Sequence, residues 1–238
     1  MPFDVEPVLL DIEELNTRAR TGDLELTKLS FGAAPAVGDR YRLLRSGAAL
    51  GNGVGPLVVA RDPAALDEAA AGRIAIPGYD TTAFLLLRLA APRLGEVVEL
   101  RYDRILDAVA RGEVDAGLII HESRFTYHEQ GLAKVADLGD WWEEETGLPV
   151  PLAGIYARTD LPEEAIAAAE RAIRGSVQYA FAHPEASHEY VGAHSHELSE
   201  EVCQAHIDLY VNGYSVDLGE PGLAAIARLS QAGTTLGV

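Results

Sequence analysis

Arg73-Ile74-Ala75-Ile76, Val97-Val98-Glu99-Leu100-Arg101-Tyr102 and Ala116-Gly117-Leu118-Ile119-Ile120 are three short apolar runs separated by two helical stretches, at about 81 to 91 and 104 to 112. The order is β-α-β-α-β. Strands joined by helical crossovers run parallel, and an unbroken apolar run such as Gly117-Leu118-Ile119-Ile120 marks a strand buried on both faces. Residues 73 to 121 are therefore expected to hold a small doubly wound sheet, an α/β architecture.

Toward the N-terminus, residues 2 to 9 read as a strand, with Val5, Val8 and Leu9 apolar. Asp11, three residues before Glu14, signals a helix start, and that helix should end near Thr21-Gly22. A strand follows at Glu25 to Ser30. Gly51-Asn52-Gly53-Val54-Gly55-Pro56 has the glycine content of a phosphate loop but precedes a strand, Leu57 to Ala60, where a dinucleotide fingerprint would follow one. A turn that carries the backbone between elements is the better reading. Beyond Arg158 the pattern is nearly all helical, at about 162 to 182, 187 to 194, 199 to 212 and 221 to 232. Thr21 to Ser30 can be laid against Arg111 to Ile120, each a helix end, a glycine, an acidic turn and a buried strand. This is either a structural repeat or the commonest form of helix-to-strand joint.

The 238 residues carry 19 Lys and Arg against 37 Asp and Glu, a formal charge of −18. Such a surface repels phosphate backbones, which argues against nucleic acid as a partner. Hydrophobic residues at 48% are enough for a large core, and the length suits two modest lobes. Cys203 is the single thiol, so no intramolecular disulfide forms, and a reducing, cytoplasmic setting is expected. The first residues show no secretory signal, and no apolar stretch approaches the ~20 residues of a membrane span.

In an open parallel sheet, ligands bind beyond the carboxyl ends of the strands. That rule selects Gly78 to Ala83, Tyr102-Asp103-Arg104 and His121-Glu122-Ser123-Arg124, and in the other half Lys28, Leu29 and Ser30. His121 ends a buried strand, where it is either a structural histidine or a general base with Glu122 and Arg124 beside it. Thr81 and Thr82 open a helix, so one hydroxyl is expected as its cap while the free amides there suit a carboxylate or phosphate. Lys28 and Arg124 are either local positive charge for such a ligand or solvated side chains. Other groupings are weaker. His194 and His196 point to different helix faces, Cys203 and His206 can share one, and no set of four converging ligands supports a metal. Ser30 with His121 lacks the G-x-S-x-G elbow of a hydrolase. Trp141-Trp142 reads as a packed helix start, with a lining role for one of them left open.

The strings Arg101 to Leu106, Gly112 to Tyr127, Leu26 to Ser30, Arg45 to Gly51, Gly53 to Arg61 and Asp137 to Glu143 closely resemble the 1,4-dihydroxy-6-naphthoate synthases of the futalosine route to menaquinone. The resemblance implies a two-lobed fold like the type II periplasmic binding proteins, with a ligand cleft between lobes at 1 to 72 plus 155 to 238 and at 73 to 154. It implies a lyase that releases 1,4-dihydroxy-6-naphthoate from cyclic dehypoxanthinyl futalosine without a cofactor. Its base would be His121, and its ligand contacts Lys28, Leu29, Ser30, Thr82 and Ala83, acting on a small anionic substrate. The family's additional N-terminal strand, with its Ser-Pro-x-Pro-Asn-Asp-Thr-Phe turn, has no match here, so open strand edges and a lost cleft wall are expected. Two alternatives stand beside this. Chorismate dehydratase shares fold and pathway, but the string His121-Glu122-Ser123-Arg124-Phe125-Thr126 argues against it. A noncatalytic carboxylate-binding protein normally works outside the membrane, and no signal segment supports that.

Overall fold

A computed structural model describes residues 4–194 and 199–237. Nine strands are present among them: β1 Leu26–Ser30, β2 Tyr41–Leu43, β3 Ala49–Gly51, β4 Leu57–Ala60, β5 Arg73–Ile76, β6 Glu96–Glu99, β7 Ala116–Ile119, β8 Ala133–Asp137 and β9 Val150–Arg158. They form two sheets. In the first, β9 is central, with β1 antiparallel on one side and β2 and β3 on the other. In the second the order is β6-β5-β7-β4-β8. Strands β6, β5 and β7 are mutually parallel and joined by the helices Thr82–Ala90 and Tyr102–Ala110, the arrangement expected for residues 73 to 121. Helices flank both sheets, giving a two-lobed α/β molecule. Among the described residues no helix is long and apolar enough to cross a membrane.

Two sequence expectations are corrected. Strand β4, read into the segment 1 to 72, pairs antiparallel with β7 and β8 in the second sheet, and the start of β9 belongs to the first sheet rather than to 73 to 154. The chain therefore crosses between sheets at 52–56 and returns through the helix Leu138–Thr146. All four side chains of β4 are buried, which identifies a central strand but not its sheet. Residues 4–9 form no strand, and Val5, Val8 and Leu9 are exposed. Among the described residues β1 pairs only with β9, so its other edge carries no strand, the open edge expected from the sequence.

The glycine string at 51–56 serves backbone packing. A Cβ on Gly55 would fall 2.2 Å from both Cα and N of Gly139, which lies in the first turn of the return helix. The outgoing and returning crossings thus touch backbone to backbone, a contact that only two glycines permit. The two similar stretches share a local plan of helix, glycine turn and strand, although β1 is an edge strand and β7 a central one. Gly22 (φ 79°) and Gly112 (φ 73°) each end a helix in the left-handed conformation. Strands β1 and β7 each lie antiparallel beside the strand that makes or receives a crossing, β9 and β4.

Candidate active site

Residue alternation along β1 sends Lys28 and Ser30 to one face and Leu29 to the other. Lys28 and Ser30 line a cavity of about 310 Å³ between the lobes, while the Leu29 side chain is fully buried in the core. Leu29 is therefore not brought into the cavity by its side chain. Ser30 is held from behind by buried Asn16, whose amide donates to Ser30 Oγ at 3.1 Å and whose oxygen accepts from Ser30 N at 2.9 Å. Asn16 lies on the helix Ile12–Thr21, which Asp11 caps by accepting from the amides of Glu13 and Glu14.

Across the cavity, the helix Thr82–Ala90 begins behind Thr81, whose Oγ accepts from Phe84 N at 3.1 Å. The backbone amides of Thr82 and Ala83 have no acceptor within the helix, and both residues line the cavity. The Thr82 hydroxyl is already committed. It donates to Leu152 O at 2.6 Å and accepts from Gly32 N at 3.0 Å, tying this helix to the first sheet. A second tie lies just outside, where Arg20 pairs with both oxygens of Asp80 and Glu13 accepts from Asp80 N at 3.0 Å.

His121 follows β7 with φ 57°, the one non-glycine residue with positive φ among those described. A bulky residue held in the left-handed region costs of order 1 kcal/mol or more, and such strain clusters at functional sites. Its ring lies 5.1 Å from that of Tyr102 and 6.3 Å from that of His206, both edge to face. Burial, then the Lys28 ammonium, then His206 push its pKa down to about 3, so the ring is neutral near pH 7. Lys28 keeps solvent contact inside the cleft, yet the surrounding protein strips enough hydration to lower its pKa as well. The same desolvation, with Lys28, lowers His206. An outer cavity of about 810 Å³ shares Lys28, His121 and His206 with the inner one, so these three groups stand at the junction of the two.

The inner lining holds no Asp or Glu, although the chain has 37. The His121 and His206 rings, Lys28, Ser30 and the helix-start residues Thr82 and Ala83 therefore line a largely apolar chamber. That arrangement suits an anion on an apolar body, with a neutral imidazole beside it.

Other candidates fall elsewhere. Arg124 donates to Gly55 O at 2.5 Å and to Asp137 at 2.6 Å, an ion pair that braces the crossing and does not line the cavity. Asp137 is nearly buried, and losing its partner costs about 3 to 5 kcal/mol. Arg124→Met is thus expected to lower stability by roughly that amount in urea unfolding while ligand affinity holds; a loss of affinity with full stability would place Arg124 in binding instead. Trp142 is buried with its indole N–H on Pro149 O, and neither tryptophan lines the cavity. His194 and Cys203 border only the outer cavity, and His196 lies outside the described residues. Among the described residues no three His, Cys, Asp or Glu side chains gather as a metal site would need. Asn16, Tyr102 as a ring partner and His206 as a cavity residue were not read from sequence. His206 carried only its i,i+3 relation to Cys203 as a signal.

A family model described as menaquinone biosynthesis matches residues 1–234. The chain is 58% identical to the 1,4-dihydroxy-6-naphthoate synthase of Thermus thermophilus over 96% of its own length and 83% of that protein's. A crystal structure of a protein from Archaeoglobus fulgidus superimposes with a TM-score of 0.92 at 41% identity, covering 98% of this chain and 86% of that one. The periplasmic aliphatic sulphonate binding protein of Escherichia coli follows at TM-score 0.66 and 13% identity, covering 94% and 74% respectively. That last likeness shows the fold alone, the two-lobed periplasmic-binding-protein type expected from the sequence.

Proposed function

The chain belongs to the menaquinone biosynthesis family, and on that premise we propose that it is a carbon–carbon lyase converting cyclic dehypoxanthinyl futalosine to 1,4-dihydroxy-6-naphthoate in the cytoplasm. The observation that carries this reading is His121, neutral and strained, in an acid-free cavity opposite Lys28 and Ser30. The substrate carboxylate sits at the amides of Thr82 and Ala83, with Lys28 and Ser30 contributing from the other lobe. His121 takes a proton from carbon. The freed electron pair becomes a ring double bond, the bond to the leaving fragment breaks with its pair passing to that fragment, the protonated His121 returns its proton there, and aromatisation drives the step. Closure of the lobes over the bound substrate then excludes water.

Purified protein incubated with the cyclic futalosine should release the naphthoate, seen by absorbance and mass. Binding without product would overturn the lyase reading in favour of a carboxylate carrier. Lys28→Met is expected to raise KM about 10- to 100-fold, the worth of a charged hydrogen bond, with kcat less affected. An unchanged KM would remove Lys28 from carboxylate binding.

A further inference from the structure

Four rings run in sequence through the cleft: Tyr102, His121, His206 and Tyr210. Successive centroids are 5.1, 6.3 and 4.6 Å apart, with interplanar angles of 79°, 87° and 63°. Tyr102 opens the helix Tyr102–Ala110 that packs on the second sheet, whereas His206 and Tyr210 sit one turn apart on the helix Glu200–Tyr210. The ring of His121 is therefore neighboured by two rings that the chain brings from segments just over a hundred residues apart.

We propose that His206 is a positioning residue, which fixes the orientation of the His121 ring and shields it from water by packing edge to face against it. This rests on the reading of His121 as base. His121 needs such support because it leaves β7 in the left-handed conformation, outside the ladder that would otherwise hold its backbone direction. Tyr102 supplies one contact from His121's own lobe, and His206 supplies the other across the cleft. Tyr210, i+4 on the same helix, backs the His206 ring. The charged and titratable groups facing or adjoining His121 are Lys28 from β1, His206 from the helix Glu200–Tyr210, Tyr102 from its helix and Glu122 next in the chain. Removing the His206 ring opens one face of His121 to solvent, and restored hydration favours its protonated form.

The test compares His206→Ala with His206→Phe, which keeps a ring but cannot titrate. Two measurements are made: steady-state kinetics with the cyclic futalosine, and titration of the His121 ring proton by NMR without substrate. The alanine variant is expected to lose about 10- to 100-fold in kcat, as a misplaced group does, with KM nearly unchanged. Its His121 midpoint should rise by at least about one pH unit. The phenylalanine variant should stay near wild type in both. A role in folding alone would move the melting temperature and leave the His121 midpoint where it was. The proposal is overturned if His206→Ala leaves kcat and midpoint unchanged, or if His206→Phe is as impaired as alanine. Should the alanine variant fail to fold, His206→Leu, with bulk but no ring, is read against phenylalanine in the same way. If wild type makes no product, the lyase reading falls while the NMR midpoint still decides the positioning role.

Discussion

His121→Ala is expected to lower kcat by about 10² to 10⁴, the worth of a positioned base, with KM for the cyclic futalosine little changed. The pH profile carries a second expectation. With the free-enzyme pKa pushed down to about 3, kcat/KM should show no acid limb near the ordinary imidazole value of 6.5. An anion bound beside Lys28 offsets the ammonium and raises the basicity of the ring, so the limb in kcat lies at higher pH than the one in kcat/KM. On the proposed function, the base is thus weak when the cleft is empty and stronger when substrate is present. Stability gives an independent check. At φ 57° glycine pays no Cβ penalty, so His121→Gly should be about 1 kcal/mol more stable than His121→Ala and equally inactive. A kcat within a few-fold of wild type in either variant would take His121 out of the mechanism.

Gly55→Ala is expected to be the most damaging of the small substitutions. Its Cβ would meet Gly139 Cα and N at 2.2 Å and Asp137 Oδ1 at 3.1 Å. Two of those atoms are backbone, so no side chain can swing aside; the crossings must separate. Overpacking of this kind costs about 3 kcal/mol or more, which for a chain of this size lowers Tm by roughly 6 to 12 °C. Gly139→Ala should behave alike, with a Cβ 2.7 Å from Gly55 Cα and N. Gly175→Ala is the control. It lies within the helix Glu163–Ala182 with nothing within 4 Å, and alanine there should raise stability by up to about 1 kcal/mol. A Gly55→Ala protein that melts with wild type would show that the crossings are not in contact.

The doubly wound unit was legible because its helices and strands alternate within short distances and each has a distinct period. The cap at Asp11 and the glycine ends at Gly22 and Gly112 were legible for a similar reason, since capping is local chemistry. Sheet membership of β4 was not, because four buried residues pair equally well with any apolar neighbour. His121 could be found from its place after a buried strand. Its strained backbone could not, since no local pattern encodes positive φ in histidine. His206 escaped for the opposite reason. It sits on a helix with weak amphipathic character, and only the return of the chain to the first lobe brings it beside His121. Leu29 came with Lys28 and Ser30 as a string, and strand alternation then turned its side chain the other way.

The acid-free lining of the inner cavity lies within a chain of formal charge −18. A small carboxylate coming from bulk solution meets repulsion first and attraction only within reach of Lys28. Mobile ions damp the long-range part beyond about 8 Å at physiological ionic strength, yet they scarcely weaken a contact made inside the chamber. Capture should therefore quicken as salt is added to a dilute buffer, the reverse of electrostatic steering toward an oppositely charged surface. On the proposed function, a preference for compact anions over polymeric ones would come from where the cations are hidden, whatever the sign of the total.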